Sequence, residues 1–228
     1  MPLDVQRIQA LCFDVDGTLS DTDDYLVQRL SQLLHSLQWL IPNRDAQRLA
    51  RRLVMRGETP VNAFWAWSDK VGLDEYLAII RDFINHHGFQ GKRNFLIIPG
   101  VREALITLSK RYPLSVVSTR DRYSTHAFLE QFNLLSLFQC VATAHTCKHT
   151  KPYPDQLYWV AEKMGVAIHN CLMIGDTTID ILAGKAAGAQ TVGVLCGFGE
   201  EAELNQTGAN ALLPSTADLP TVLTMSER

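Results

Sequence analysis

A doubly wound α/β sheet interrupted by an all-helical insertion is the fold this sequence predicts, and two observations predict it. Five short apolar runs, at residues 10–15, 114–119, 140–143, 171–174 and 191–195, have the length of strands buried on both faces. Amphipathic stretches with helix signals lie between the later runs, and strand alternating with helix builds a parallel sheet covered on both sides. The second observation is a change of pattern: residues 22–95 hold apolar positions at helical spacing and no strand-like run.

The helices of the sheet carry their own start and stop signals. Pro99-Gly100 precedes a helical pattern over 101–110, Pro154-Asp155 precedes one over 156–164, and a third runs over 177–187 and is closed by Gly188. In the insertion, Leu26, Leu30, Leu33, Leu34, Leu37 and Ile41 mark the first helix, and further patterns follow at 44–55, 61–70 and 74–85. Breaks at Pro42, 57–60 and Gly72 separate them, giving four helices. The expected organisation is a core formed by residues 1–20 and 97–228 and a helical domain at 21–96, joined by crossings near residues 20 and 96.

Composition narrows the function classes. With 228 residues and 46% hydrophobic content the chain can bury a full core, and a net charge of -3 gives no general attraction to nucleic acid. Residues 1–10 lack a basic start and a long apolar stretch, and no segment is apolar enough to span a membrane. Five cysteines without a CxxC suit a reducing compartment. A cytoplasmic protein with neither a nucleic-acid nor a membrane partner is expected.

The residues that carry chemistry sit where the runs end. Asp14 and Asp16 are two apart, so in an extended backbone their side chains leave on one side and reach one ligand. A carboxylate can attack phosphorus, and a neighbouring acid can protonate the leaving oxygen and later deprotonate water. Asp14 is therefore read as the nucleophile and Asp16 as acid, then base. Gly17 follows, where a backbone without Cβ turns tightly or approaches a phosphate. Asp176 closes another run, and Asp180 lies in the first turn of the next helix. With Asp14 and a backbone carbonyl near Asp16, they form a set of hard oxygen donors for Mg²⁺, which also offsets repulsion between a carboxylate and an anionic phosphate. Ser118 ends the second run, its hydroxyl and adjacent N–H groups, such as that of Thr119, serving phosphoryl oxygens; Lys151, before Pro152, supplies positive charge.

With these residues in hand, the chain resembles the haloacid dehalogenase-like hydrolase superfamily, in its branch of phosphoglycolate phosphatase and β-phosphoglucomutase. Asp14-Val15-Asp16-Gly17-Thr18-Leu19 fits the first motif, Ser118 the second, Lys151 the third, and Gly175-Asp176 with Asp180 the fourth. Pro99-Gly100-Val101 and Lys151-Pro152-Tyr153-Pro154-Asp155 also look like that branch, whereas Thr119 stands where many of its members carry asparagine. The dehalogenating members generally lack an acid at the position of Asp16, which favours phosphate chemistry. The resemblance implies a Rossmann-like core, Mg²⁺ dependence and an all-helical cap that closes over substrate.

The expectation is thus a Mg²⁺-dependent phosphatase acting on a small phosphorylated metabolite through an aspartyl-phosphate, as a monomer or homodimer. Two alternatives stay open: a phosphomutase that passes the phosphoryl group to a second substrate hydroxyl, and a non-catalytic module that holds a protein partner. Arg44, Arg48, Arg52 and Arg56 form one stripe of a cap helix and read as a solvated basic face; Phe64, Trp65 and Trp67 read as cap packing. His145, Cys147 and His149 alternate before Lys151, but three ligands fall short of a structural zinc site.

Overall fold

The computed structural model describes residues 2–21 and 95–225. These belong to one compact unit, Met1–Thr22 with Phe95–Arg228. The expected helical insertion, with the expected arginine stripe and tryptophan packing, lies outside the described residues.

Six parallel strands form a single sheet: β1 (Ala10–Phe13), β2 (Leu114–Val117), β3 (Phe138–Ala142), β4 (Cys171–Gly175), β5 (Gln190–Val194) and β6 (Ala211–Leu213), in the order β3-β2-β1-β4-β5-β6. Among the described residues the α-helices are α1 (Val101–Leu108), α2 (Arg122–Gln131), α3 (Asp155–Met164), α4 (Thr178–Ala187), α5 (Glu201–Thr207) and α6 (Leu219–Met225). This is a Rossmann-like doubly wound sheet, as the alternation of runs predicts.

Alternate residues of β1 show why both faces must be covered. Leu11 and Phe13 enter a core with Val101 and Leu105 of α1, Phe128 of α2 and Leu223 of α6. Ala10 and Cys12 enter the other, with Leu157 and Val160 of α3 and Ala183 of α4. Each fully buried Leu or Val contributes about 1.5–3 kcal/mol, and a strand flanked on both sides by such contacts has no polar face to show.

Several boundaries differ from the sequence-based expectation. The first strand stops at Phe13 rather than running to residue 15, because the chain turns at once: Leu19 N and Ser20 N both donate to Val15 O, at 2.9 and 2.8 Å. β3 begins at Phe138, two residues before the expected run, and as an edge strand it is only partly covered, with Gln139 exposed and Cys140 and Val141 half-buried between buried Phe138 and Ala142. β6, α2, α5 and α6 were not singled out from sequence. At the two crossings, Asp21 N donates to Leu96 O at 3.0 Å and Ile98 N to Leu19 O at 3.1 Å, so the outgoing and returning segments pair antiparallel through Ser20 and Ile97.

Candidate active site

Strand order reverses direction between β1 and β4, and the crevice beyond the carboxyl ends of strands at such a switch point is where open α/β sheets bind ligands. Phe13 of β1 stands opposite Ile174 of β4 and Val116 of β2. That register delivers the next residues of all three strands, Asp14, Gly175-Asp176 and Ser118, to one end of the sheet. Asp14 N still donates to Ile174 O at 2.9 Å, which fixes its backbone to β4.

Lys151 sits at the centre. Its Nζ lies 2.7 Å from Asp14 Oδ1 and 2.6 Å from Asp180 Oδ1, with all three side chains at most 9% exposed. Burial opposes a charged ammonium, but Asp14 and Asp180 outweigh it and hold the lysine pKa above its ordinary value. Asp180 is itself anchored by a capping box at the start of α4: its Oδ2 accepts from Thr177 N at 3.0 Å and from Thr177 Oγ1 at 2.7 Å. One carboxylate thus serves two structures, capping the start of the helix with one oxygen and holding Lys151 with the other. The capping role and the charged role are both present.

Asp176 is completely buried. Its Oδ1 accepts from Thr18 Oγ1 at 3.1 Å and its Oδ2 from Phe198 N at 2.7 Å. Both donors come from tight loops where side chains are excluded. Gly17 has φ +72°, and a Cβ there would fall 2.2 Å from Asp176 Oδ2; a Cβ on Gly197 would fall at the same distance from that atom. The loop of Gly197-Phe198-Gly199 was missed by sequence reasoning, although the glycines directly after the fifth apolar run were a usable signal.

Ser118 lies just past β2, buried, with Ser118 N donating to Ala142 O at 3.0 Å. Its Oγ accepts from Arg120 N at 3.1 Å, and its carbonyl accepts from Gln156 Nε2 at 3.0 Å. The same Gln156 nitrogen reaches Thr143 O at 2.9 Å, so a buried amide on α3 ties the ends of β2 and β3 together. Thr119 is exposed. Gln156 was placed in a helix by the sequence but given no role there.

Asp16 goes elsewhere. It opens the turn after β1, and Arg120 meets it with a two-pronged contact: Nε donates to Oδ2 at 3.1 Å and Nη2 donates to Oδ1. Asp14 and Asp16 thus carry different cationic partners, Lys151 and Arg120, although they are two residues apart. Arg120 was not among the sequence-derived candidates.

The acids fit a hard divalent cation. Asp14, Asp176 and Asp180 each offer a carboxylate oxygen, all within 4.8 Å of one another, and all three residues are buried. Among the described residues, Lys151 pairs with Asp14 and Asp180 while Asp176 accepts only neutral donors, so three acids face one lysine. Burial, then the charges of Asp180 and Asp16, push the Asp14 carboxyl up to about 7 against the pull of Lys151. Burial and the other two acids likewise raise Asp176 well above the usual carboxylate range. A bound cation relieves that repulsion, and oxygen-only donors suit Mg²⁺ or Ca²⁺ rather than a soft metal.

Similarity to known proteins makes this Rossmann-like core that of a phosphoric monoester hydrolase. The chain belongs to the haloacid dehalogenase-like hydrolases, whose family profile matches residues 11–194. It is 29% identical to the phosphoglycolate phosphatase of Escherichia coli strain K12, over 92% of this chain and 93% of that one. It is 27% identical to the pyrophosphatase PpaX of Anoxybacillus flavithermus, over 97% of this chain and all of the relative. In fold it is similar to the crystal structure of a predicted phosphoglycolate phosphatase from Haemophilus somnus, with a TM-score of 0.65 at 22% identity over 95% of this chain and 98% of the other. Among the described residues, no helix is long and apolar enough to cross a membrane.

Proposed function

We propose that this protein is a Mg²⁺-dependent phosphatase that hydrolyses a small phosphorylated metabolite through an aspartyl-phosphate on Asp14. One observation carries the reading: the buried Asp14 carboxylate is held by Lys151 at 2.7 Å, with carboxylate oxygens of Asp176 and Asp180 within 4.8 Å. Asp14 and Asp176, with a backbone carbonyl near Asp16, would hold the ion, and Asp180 would add charge while orienting Lys151. When bound, Mg²⁺ neutralises phosphoryl oxygens and so admits a second anion to an acidic site.

The chain's own residues divide the remaining work. Lys151 holds Asp14 with one oxygen committed, leaving the other to attack phosphorus; its ammonium also stabilises negative charge on the transferring group. The Ser118 hydroxyl, with the loop N–H groups that follow it, including that of Thr119, receives phosphoryl oxygens. Gly17 lets the backbone approach them closely. Asp16 protonates the departing oxygen, then takes a proton from the water that cleaves the aspartyl-phosphate. The relatives make 2-phosphoglycolate and pyrophosphate the first substrates to try.

Asp14→Asn is the direct test, because asparagine keeps the shape and removes the nucleophile. Phosphate release from p-nitrophenyl phosphate and 2-phosphoglycolate in Mg²⁺ is expected to fall by at least about 10³-fold. Unchanged Mg²⁺-dependent release by that variant refutes the mechanism.

A further inference from the structure

We propose that Arg120 is a positioning residue for the second chemical step, holding the Asp16 carboxylate in the orientation from which it accepts a proton from the attacking water. The inference rests on the reading of Asp16 as acid and base given above.

Three features of Arg120 support it. The first is the fork: Nε donates to Asp16 Oδ2 at 3.1 Å while Nη2 donates to Oδ1. Two parallel bonds fix the plane of a carboxylate as well as its position, which one bond from a lysine does not. The second is that the fork is itself held. The guanidinium carbon stands 5.4 Å from the centroid of Phe95 and 6.0 Å from that of Phe128, and the side chain is 11% exposed. Phe128 belongs to the core beneath β1. The third is in the backbone: Arg120 N donates to Ser118 Oγ at 3.1 Å, and Arg120 O accepts from Ala144 N at 3.0 Å. A single residue therefore links the proposed base on the turn after β1 to the proposed phosphate-binding hydroxyl after β2.

The geometry points to the hydrolytic step. Both Asp16 oxygens accept from the guanidinium, and each keeps a further lone pair that can receive a proton. In that step the water oxygen bonds to phosphorus and the bond from phosphorus to the Asp14 oxygen breaks. Its electron pair returns to the Asp14 carboxylate, one water proton passes to Asp16, and inorganic phosphate departs. The preceding step with an aryl phosphate makes no such demand, since a nitrophenolate leaves without a proton. The two half-reactions therefore separate positioning of the base from general damage to the site.

The test is rapid-quench kinetics of the full chain with Mg²⁺ and p-nitrophenyl phosphate, on wild type, Arg120→Met, Arg120→Lys and Asp16→Asn. Both Arg120 variants are expected to release a burst of p-nitrophenolate stoichiometric with enzyme. Turnover should then be roughly 10- to 100-fold slower than wild type, as for a misplaced catalytic group. The share of protein trapped as acid-quenched phosphoenzyme should rise above wild type. Arg120→Lys, which keeps the charge and loses the fork, falls between, and it carries the test if Arg120→Met does not fold. A normal steady state, or equal slowing of burst and turnover, overturns the inference. Asp16→Asn should show the same burst: if it does while the Arg120 variants behave as wild type, only the role of Arg120 fails. If Asp16→Asn turns over normally, the reading of Asp16 fails and takes this inference with it.

Discussion

Asp14, the proposed nucleophile, shows what burying a carboxyl costs in stability. Its carboxyl is pushed from 3.8 up to about 7, by burial first and then by neighbouring acids, with Lys151 pulling the other way. An unfolded chain loses that proton near the ordinary value, so between roughly pH 4 and pH 7 the metal-free fold binds the proton that the unfolded chain has released, and stability from this group falls as pH rises. A divalent cation competes for the same oxygens. Mg²⁺ at about 100 times its dissociation constant should therefore stabilise the fold by about 2.7 kcal/mol where the acids are ionised, near pH 8, and by less near pH 5. Differential scanning fluorimetry with Mg²⁺ and with EDTA measures this. An equal shift at both pH values, or none, would remove the cation from the acidic trio.

At the scale of elements, tight turns set the site as much as the strands do. Gly17 sits in the left-handed region at φ +72°, and the space its Cβ would need is occupied by the Asp176 carboxylate at 2.2 Å. Alanine there meets two penalties: left-handed backbone costs about 1–2 kcal/mol for a residue with a Cβ, and Asp176 must move. Gly17→Ala is expected to lower stability in urea unfolding by about 2 kcal/mol or more, and to lower phosphatase activity roughly 100-fold through displacement of Asp176. Full activity in that variant would show that the Asp176 carboxylate need not stay where Thr18 and Phe198 hold it.

The same scale explains what the sequence could and could not reveal. Strands β1, β2, β4 and β5 are buried at every position, which leaves short runs, apolar except for Ser115 in β2 and Gln190 and Thr191 in β5, that can be read directly. β6 has three residues, too few for any period to appear, and α2 buries Ser124 and Thr125 beside Phe128 and Leu129, so its inward face is half polar. Asp14 and Asp176 stood out as acids directly after apolar runs, and Asp180 in the following helical turn and Lys151 before Pro152 completed the set in order along the chain. Arg120 and Gln156 did not. An arginine in a loop looks like solvated surface until the fold brings it to Asp16, 104 residues away, and a helical glutamine looks ordinary until its amide is found bridging two strand ends.

For the molecule as a whole, the function follows from where six strands place their ends. The order β3-β2-β1-β4-β5-β6 puts β1 at the centre with β2 and β4 as neighbours, so groups from distant parts of the chain meet without any being adjacent in sequence. Phosphorylation of Asp14 during turnover is the central claim. Borohydride reduction of enzyme quenched during turnover converts an aspartyl-phosphate to homoserine, and peptide mass spectrometry locates the change. The account expects it at Asp14, in Mg²⁺ and substrate together and in neither alone; modification at another acid, or none while phosphate is being released, would contradict it.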